Sequence, residues 1–203
     1  LRRIERRVAV YGLGSIQAYA AFLPDNPQEL DLLLAEMLIG VTSFFRDGAV
    51  WADVQDLAWP RLLAQHTGNG PLRAWVIGCS TGEEAYSLAM TFQQAQQEEQ
   101  EKGLDLPGVA AQTLQIFATD LNAEAIAVAR KGWYPAKWLA EMAPAHRARF
   151  FVEQDGGFRI TKDIRDMVLF AQHDVIMNPP FTKLDFLSCR NLLIYFKATL
   201  QQR

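Results

Sequence analysis

The sequence predicts an α/β fold: a parallel sheet with helices on both faces, preceded by a small helical unit and interrupted by a short antiparallel β insertion. Three observations predict it. Strand-like apolar runs alternate with helical periods from residue 72 onward, everything before residue 72 reads as helical, and residues 75–84, WVIGCSTGEE, join a strand to a helix through a turn of small residues. Gly78 and Gly82 at that bend let a ligand approach the strand end closely, beside the partial positive charge of a helix N-terminus. That is a pocket of nucleotide type.

The first unit covers residues 1–41. Val8, Tyr11, Ile16, Tyr19, Phe22 and Leu23, then Leu30, Leu33, Leu34, Met37 and Leu38, recur with a helical period. Asp25-Asn26-Pro27 breaks it, with Pro27 suited to the first turn of the next helix. The basic start, Leu1-Arg2-Arg3-Ile4-Glu5-Arg6-Arg7, is read as a solvated first turn or frayed end rather than a docking surface for an acidic partner.

The second unit covers residues 42–203. From Thr42, VTSFFRDGAVW turns into a helix that runs toward Leu63 and is interrupted at Pro60, and residues 66–71 form the loop into the sheet. Strand 73–78 feeds a helix from Glu83 to about Lys102 that buries Ala85, Leu88, Ala89 and Phe92, its tail QQAQQEEQEKG being a solvated extension. A second strand, Leu114 to Thr119, ends in Asp120, and Asn122 caps a helix that stops near Gly132. After a helical piece around Met142–Phe150, FFVEQDGGFRIT reads as a hairpin bent at Gly156-Gly157, giving an insertion over about 149–162. Two more strands, Met167–Gln172 and Asp185–Cys189, and a helix from Asn191 complete the pattern. The first residue is not Met and the last segment stops inside a helix-like pattern, so the chain reads as a fragment, truncated before the last strands such a sheet needs.

With 203 residues, half of them hydrophobic, the chain can bury a sizeable core. Its net charge of −3 offers no attractive field to nucleic acid or anionic lipid. Cys79 and Cys189 are too few and too far apart for a metal site or a disulfide framework, which fits a reduced, cytosolic setting. No run approaches the roughly 20 apolar residues of a membrane span, and no secretory signal is present. Composition says nothing of oligomeric state.

Three ligand chemistries compete for the glycine turn. Gly78-Cys79-Ser80-Thr81-Gly82 matches a hydrolase elbow, with Asp120 and His146 or His173 in the right chain order. That elbow follows several strands, whereas the chain before residue 72 is helical. A dinucleotide site lacks the full G-x-G-x-x-G and its acid about 20 residues on. A pyrophosphate would also meet Glu83 and Glu84 at the helix mouth. S-adenosylmethionine fits better, because its sulfonium and α-amino group suit an acidic mouth and its ribose hydroxyls suit Asp120 at the end of the next strand. Asn178-Pro179-Pro180-Phe181 matches the N-P-P-[FY] motif of amine-directed methyltransferases, but a strand-like LDFLSC follows it. The tetrapeptide is therefore placed in a connecting loop as a stiff turn.

VTSFFRD, CSTGEEAYSLAM, IFATDLN and SCRNLLIYF, in that order, closely resemble the CheR-type chemotaxis receptor methyltransferases, which are protein-glutamate O-methyltransferases. The segment NPPFTKLDFLSCRN looks most like the methyltransferase portion of hybrid proteins that also carry a methylesterase. The resemblance implies a Rossmann-like S-adenosylmethionine-dependent methyltransferase sheet, with S-adenosylhomocysteine as product and the cytoplasmic domains of receptors as partners. It implies cofactor contacts from Thr42, Arg46, Glu84, Asp120, Asp174, Val175, Arg190 and Asn191. On the residues alone, Glu83 and Glu84 are both open to the methionine amino group; the resemblance favours Glu84. Two positions depart from the family pattern, where Gly40 and Asp174 stand in place of Asn. Asp174 can accept from an adenine amino group but cannot donate as Asn does.

The family's antiparallel subdomain, which in some members grips a receptor tail, corresponds to Arg149–Lys162. The short version here implies independence from a tail. Arg46 is the implied holder of the incoming carboxylate, and Tyr195 the implied orienting hydroxyl, where sequence pattern by itself reads Tyr195 as an aromatic packed on the sheet. An amine-directed methyltransferase and a non-catalytic S-adenosylmethionine-binding signalling module are the alternatives.

Overall fold

The computed structural model describes residues 2–37, 42–66, 70–102 and 112–201, in two compact units, Leu1–Val41 and Thr42–Arg203. The sequence readings at Leu38, Gly40 and residues 67–69, and the side chains of Leu34 and Met37, lie outside the described residues.

In the first unit α1 (Arg2–Val10) and α2 (Ile16–Phe22) lead through a short 3-10 turn at Leu23–Asp25 into α3 (Pro27–Met37). Ser15 caps α2 by accepting from the Ala18 amide at 3.1 Å, and Pro27 opens α3 as its spacing predicts. The basic start is not a frayed end. Arg7 donates through Nε to Glu29 at 2.7 Å and again through Nη2, Tyr19 donates to the same carboxylate, and Arg6 pairs with Glu36 at 2.5 Å. Glu29 is only 2% exposed, so the arginines neutralise buried acids of α3.

The Arg7 guanidinium, followed by the Tyr19 hydroxyl, outweighs burial and holds the Glu29 carboxyl down at about 2 from an ordinary 4.5. A depressed carboxyl contributes stability that is complete above its unfolded pKa and is lost as pH falls through its folded one. Amide-exchange protection of α1–α3 should therefore decline between about pH 4.5 and pH 2. In Glu29→Gln the protection should be lower at neutral pH and lack that decline.

The second unit begins with α4 (Gly48–Asp53), a π-helical turn (Val54–Ala58) and α5 (Trp59–Gln65). The interruption expected at Pro60 is a change of helix type: the backbone stays helical, but α-helical hydrogen bonding gives way to a π turn just before the proline. Proline has no amide to donate and crowds the carbonyl four residues back, and the wide turn immediately before it absorbs both defects. There follow β1 (Leu72–Ile77), α6 (Glu83–Glu101), β2 (Leu114–Asp120), α7 (Ala123–Lys131), β3 (Trp133–Pro135), α8 (Pro144–Phe150), β4 (Phe151–Gln154), β5 (Gly157–Ile160), α9 (Lys162–Asp166), β6 (Val168–Gln172), β7 (Phe186–Ser188) and α10 (Ala198–Gln201). Among the described residues no helix is long and apolar enough to cross a membrane.

The main sheet is parallel, in the order β6-β2-β1-β7. Ala74, Val76, Ile116, Ala118, Val168 and Phe170 share a core with Ala85, Leu88, Ala89 and Phe92 of α6, the helix face that its periodicity predicts. The tail of α6 is docked rather than solvated. Ala95 and Glu99 are buried, Gln55 donates to Glu98 at 2.7 Å, and Gln94 bonds His146 at 2.8 Å.

On the opposite sheet face, Trp75 and Phe117 sit side by side in register. Phe181 of the NPPF loop stacks on Phe117 at 4.7 Å and meets Trp75 edge-on at 5.2 Å. The double proline is thus a stiff turn that also seats an aromatic plug.

The antiparallel sheet, in the order β3-β5-β4, has three strands. Residues 133–135 contribute one that the hairpin reading over 149–162 lacked, since three residues ending in proline carry no alternation. The bend falls one residue earlier than expected, at Asp155 (φ 52°) and Gly156 (φ 71°), the two left-handed positions of a two-residue hairpin turn. The helix expected from Asn191 is a 3-10 turn, Leu193–Tyr195, followed by α10. Asn191 has φ 56°, and the aromatic and β-branched residues after it support no longer helix.

Candidate active site

The order β6-β2-β1-β7 means that the chain steps to one side of β1 and later returns to the other. The crevice beyond the carboxyl ends of β1 and β7 is where such sheets bind ligands. The glycine turn lies at that edge. Gly78 and Gly82 have φ of 70° and 98°, and a Cβ on Gly82 would lie 2.9 Å from Ala129 and 3.1 Å from both Phe170 and Tyr134. The turn is held by the Cys79 amide donating to the Thr119 carbonyl at 2.9 Å and by the Tyr134 hydroxyl donating to the Thr81 carbonyl at 2.7 Å.

Asp120 ends β2, as its place in the sequence predicts. It accepts from the Ser80 amide on one oxygen and the Asn122 amide on the other, both at 2.8 Å. Each carboxylate oxygen keeps a further lone pair for a hydroxyl.

Glu83 and Glu84, adjacent in sequence, point to different partners. Glu83 is buried and accepts from Thr81 at 2.7 Å. Glu84 accepts from Ser188 at 2.6 Å and lies 3.5 Å from Arg190. Burial raises the pKa of both carboxyls. For Glu84 the Ser188 hydrogen bond and then the charges of Arg190 and Arg46 oppose the rise without cancelling it. A half-buried carboxyl in that state is stabilised in its charged form by an added cation.

Thr42 and Arg46 are half-buried in the loop before α4. Arg190 donates through Nη2 to the Arg46 carbonyl at 2.8 Å and to Asp47 at 2.7 Å. The structure therefore brings Arg46, Glu84 and Arg190 together at the β1–β7 crevice. Beside it lies a cavity of about 190 Å³, lined by Trp51, Glu84, Ser188 and Arg190. Thr42, Phe45, Trp51, Glu83 and His146 line a second of about 660 Å³.

Asp174 and Val175 are half-buried two and three residues beyond β6, and Asp174 accepts from the amides of Ile176 and Met177. Asn191 is exposed beyond β7, and the side chain of Tyr195 lies outside the described residues. Trp51, Ser188 and Asp47 were not singled out from sequence. Ser188 carried a positional signal as the end of a strand, whereas Trp51 reads there as one more core aromatic.

The hydrolase elbow has no support in these contacts. Ser80 gives its amide to Asp120, His146 bonds Gln94, and His173 bonds the Pro179 carbonyl at 3.1 Å. Asn178 is likewise engaged in its own turn, accepting from the Asp174 amide at 2.8 Å.

Fold and site together define a Rossmann-like domain whose crevice suits a ligand with a positive charge and free hydroxyls. Comparison with known families agrees: the model described as "CheR methyltransferase, SAM binding domain" matches residues 40–203, and "CheR methyltransferase, all-alpha domain" matches residues 1–38. The chain belongs to the CheR methyltransferase family, and S-adenosylmethionine is its cofactor.

It is 40% identical over its whole length to an uncharacterised 104.1 kDa protein of Rhodobacter capsulatus, of which it covers 20%. It is 32% identical to a chemotaxis protein methyltransferase of Listeria monocytogenes, with 83% of this chain and 59% of that protein aligned. It is also 32% identical to chemotaxis protein methyltransferase 2 of Pseudomonas aeruginosa, with 99% and 69% aligned. The chain thus spans one fifth and 59% of the first two relatives.

Proposed function

We propose that this chain carries the catalytic unit for methyl transfer from S-adenosylmethionine to glutamate carboxylates of chemotaxis receptors, acting in the cytoplasm. The observation that carries the reading is the cluster of Arg46, Glu84 and Arg190, with Asp120 ending the neighbouring strand β2 at the same carboxyl edge of the sheet. The residues present fit the cofactor: Asp120 retains lone pairs for ribose hydroxyls, and Glu84 is a half-buried acid stabilised by an ammonium. Asp174, Val175, Arg190, Asn191 and Thr42 complete the proposed contacts.

When bound, the cofactor supplies an electrophilic methyl group on a sulfonium and leaves as the neutral thioether. A glutamate side chain has pKa about 4.3, so the attacking oxygen is already ionised at pH 7 and no general base is required. What the protein does is align. Arg46 offers a planar fork to two oxygens, and Tyr195 offers a looser hydrogen bond that orients the carboxylate without blunting it.

The test uses the protein carrying this chain, tritiated cofactor and receptor cytoplasmic fragments. Label released by mild alkali is expected, because esters hydrolyse where N-methyl groups do not. Alkali-stable label that Asn178→Ala abolishes would establish the amine-directed alternative. Cofactor binding by calorimetry with no label in any receptor would establish a non-catalytic module. A hybrid architecture draws support from the Rhodobacter capsulatus relative, in which four fifths of the chain lies outside the aligned part.

A further inference from the structure

Arg46 is flanked by two non-glycine residues in left-handed backbone, Phe45 at φ 52° and Asp47 at φ 60°. L-residues rarely adopt that conformation unaided, so the turn must be held by contacts from elsewhere. The Phe45 amide donates to Ser87 Oγ at 3.0 Å. The Arg46 carbonyl accepts from Trp51 Nε1 at 2.9 Å and from Arg190 Nη2 at 2.8 Å. Asp47 precedes α4 without capping it, and its carboxylate turns to Arg190 instead.

Trp51 touches three of the residues involved, Phe45, Arg46 and Arg190. Its indole, 6% exposed, meets Phe45 edge-on at 5.8 Å, donates to the Arg46 carbonyl, and lies under the Arg190 guanidinium at 5.5 Å. It also lines both cavities.

We propose that Trp51 is a positioning residue for methyl transfer: it fixes the strained Phe45–Asp47 turn from behind and seats Arg190 against it, so that the Arg46 guanidinium and Glu84 face one crevice. The catalytic consequence rests on the role given to Arg46 above. The control on the turn itself does not.

Trp59 provides the comparison. It is fully buried in the next helix and also spends its indole N–H on one acceptor, Thr91 Oγ1 at 3.0 Å, with its ring against Phe92 and Phe186. Trp51→Phe and Trp59→Phe each delete an indole donor and keep an aromatic ring. In the full-length protein, Trp51→Phe is expected to lower kcat at least tenfold and to weaken S-adenosylhomocysteine binding by calorimetry by a smaller factor, since Glu84 and Arg190 are also proposed cofactor contacts. Amide exchange over residues 45–47 should quicken at least tenfold.

Trp59→Phe should lower the thermal midpoint while leaving kcat and exchange at 45–47 within twofold. Equal effects of the two substitutions on kcat and exchange, or unchanged exchange at 45–47 in a folded Trp51→Phe, would overturn the proposal. If the wild type labels no receptor fragment, the functional reading fails, and the exchange comparison alone decides whether Trp51 holds the turn.

Discussion

Arg46→Ala is expected to lower receptor methyl transfer by about 10²-fold or more, the scale of effects from lost alignment and charge complementarity at a reacting centre. Arg46 lies at the crevice with its carbonyl doubly bonded by Trp51 and Arg190, so truncating the side chain leaves those backbone anchors in place. The turn should therefore keep its fold, which the thermal midpoint checks. Arg46→Lys keeps the charge but loses the planar fork, and an intermediate rate of about one tenth of wild type is expected. Steady-state assays with saturating cofactor decide the matter. Unchanged methylation of receptor fragments by Arg46→Ala would remove Arg46 from the reaction and leave the proposed mechanism without its carboxylate holder.

The second large effect belongs to Asp120. Hydrogen bonds to a charged acceptor contribute about 1.5–3 kcal/mol each, so deleting the carboxylate should weaken S-adenosylhomocysteine binding by roughly 10- to 100-fold. Asp120→Ala also strips the acceptor from the Ser80 and Asn122 amides, which loosens the glycine turn. Asp120→Asn separates the two effects, because it keeps one acceptor oxygen for the turn while losing the charge. Calorimetry on both variants should find Asn between wild type and Ala. Affinity within twofold of wild type for both, or a wild type that ignores the thioether nucleoside and binds a pyrophosphate dinucleotide instead, would end the ribose assignment.

Much of the main sheet was legible because its signals are local. A strand run ending in glycine or aspartate, an asparagine before a helix and a glycine after one each encode a backbone conformation within a few residues, and β1, β2, α6 and α7 fall where those signals put them. Elements lacking such signals were missed or misplaced: β3, too short to alternate, the π turn before Pro60, and the 3-10 turn after Asn191. The basic start misled because charge in a sequence carries no record of its partner. Glu29 lies 22 residues from Arg7, and only the return of α3 brings them together.

The site divides in the same way. By itself the sequence determined the glycine bend, the acids beside it, the aspartate at the next strand end and, through four ordered motifs, the family. Tertiary structure alone decided which of Glu83 and Glu84 faces Arg190, that Phe181 plugs the sheet, and that Trp51 and Arg190 together hold the Arg46 backbone. Turn chemistry and periodicity act between neighbours in the chain. A hydrogen bond spanning 144 residues exists only after the sheet has brought its two ends together.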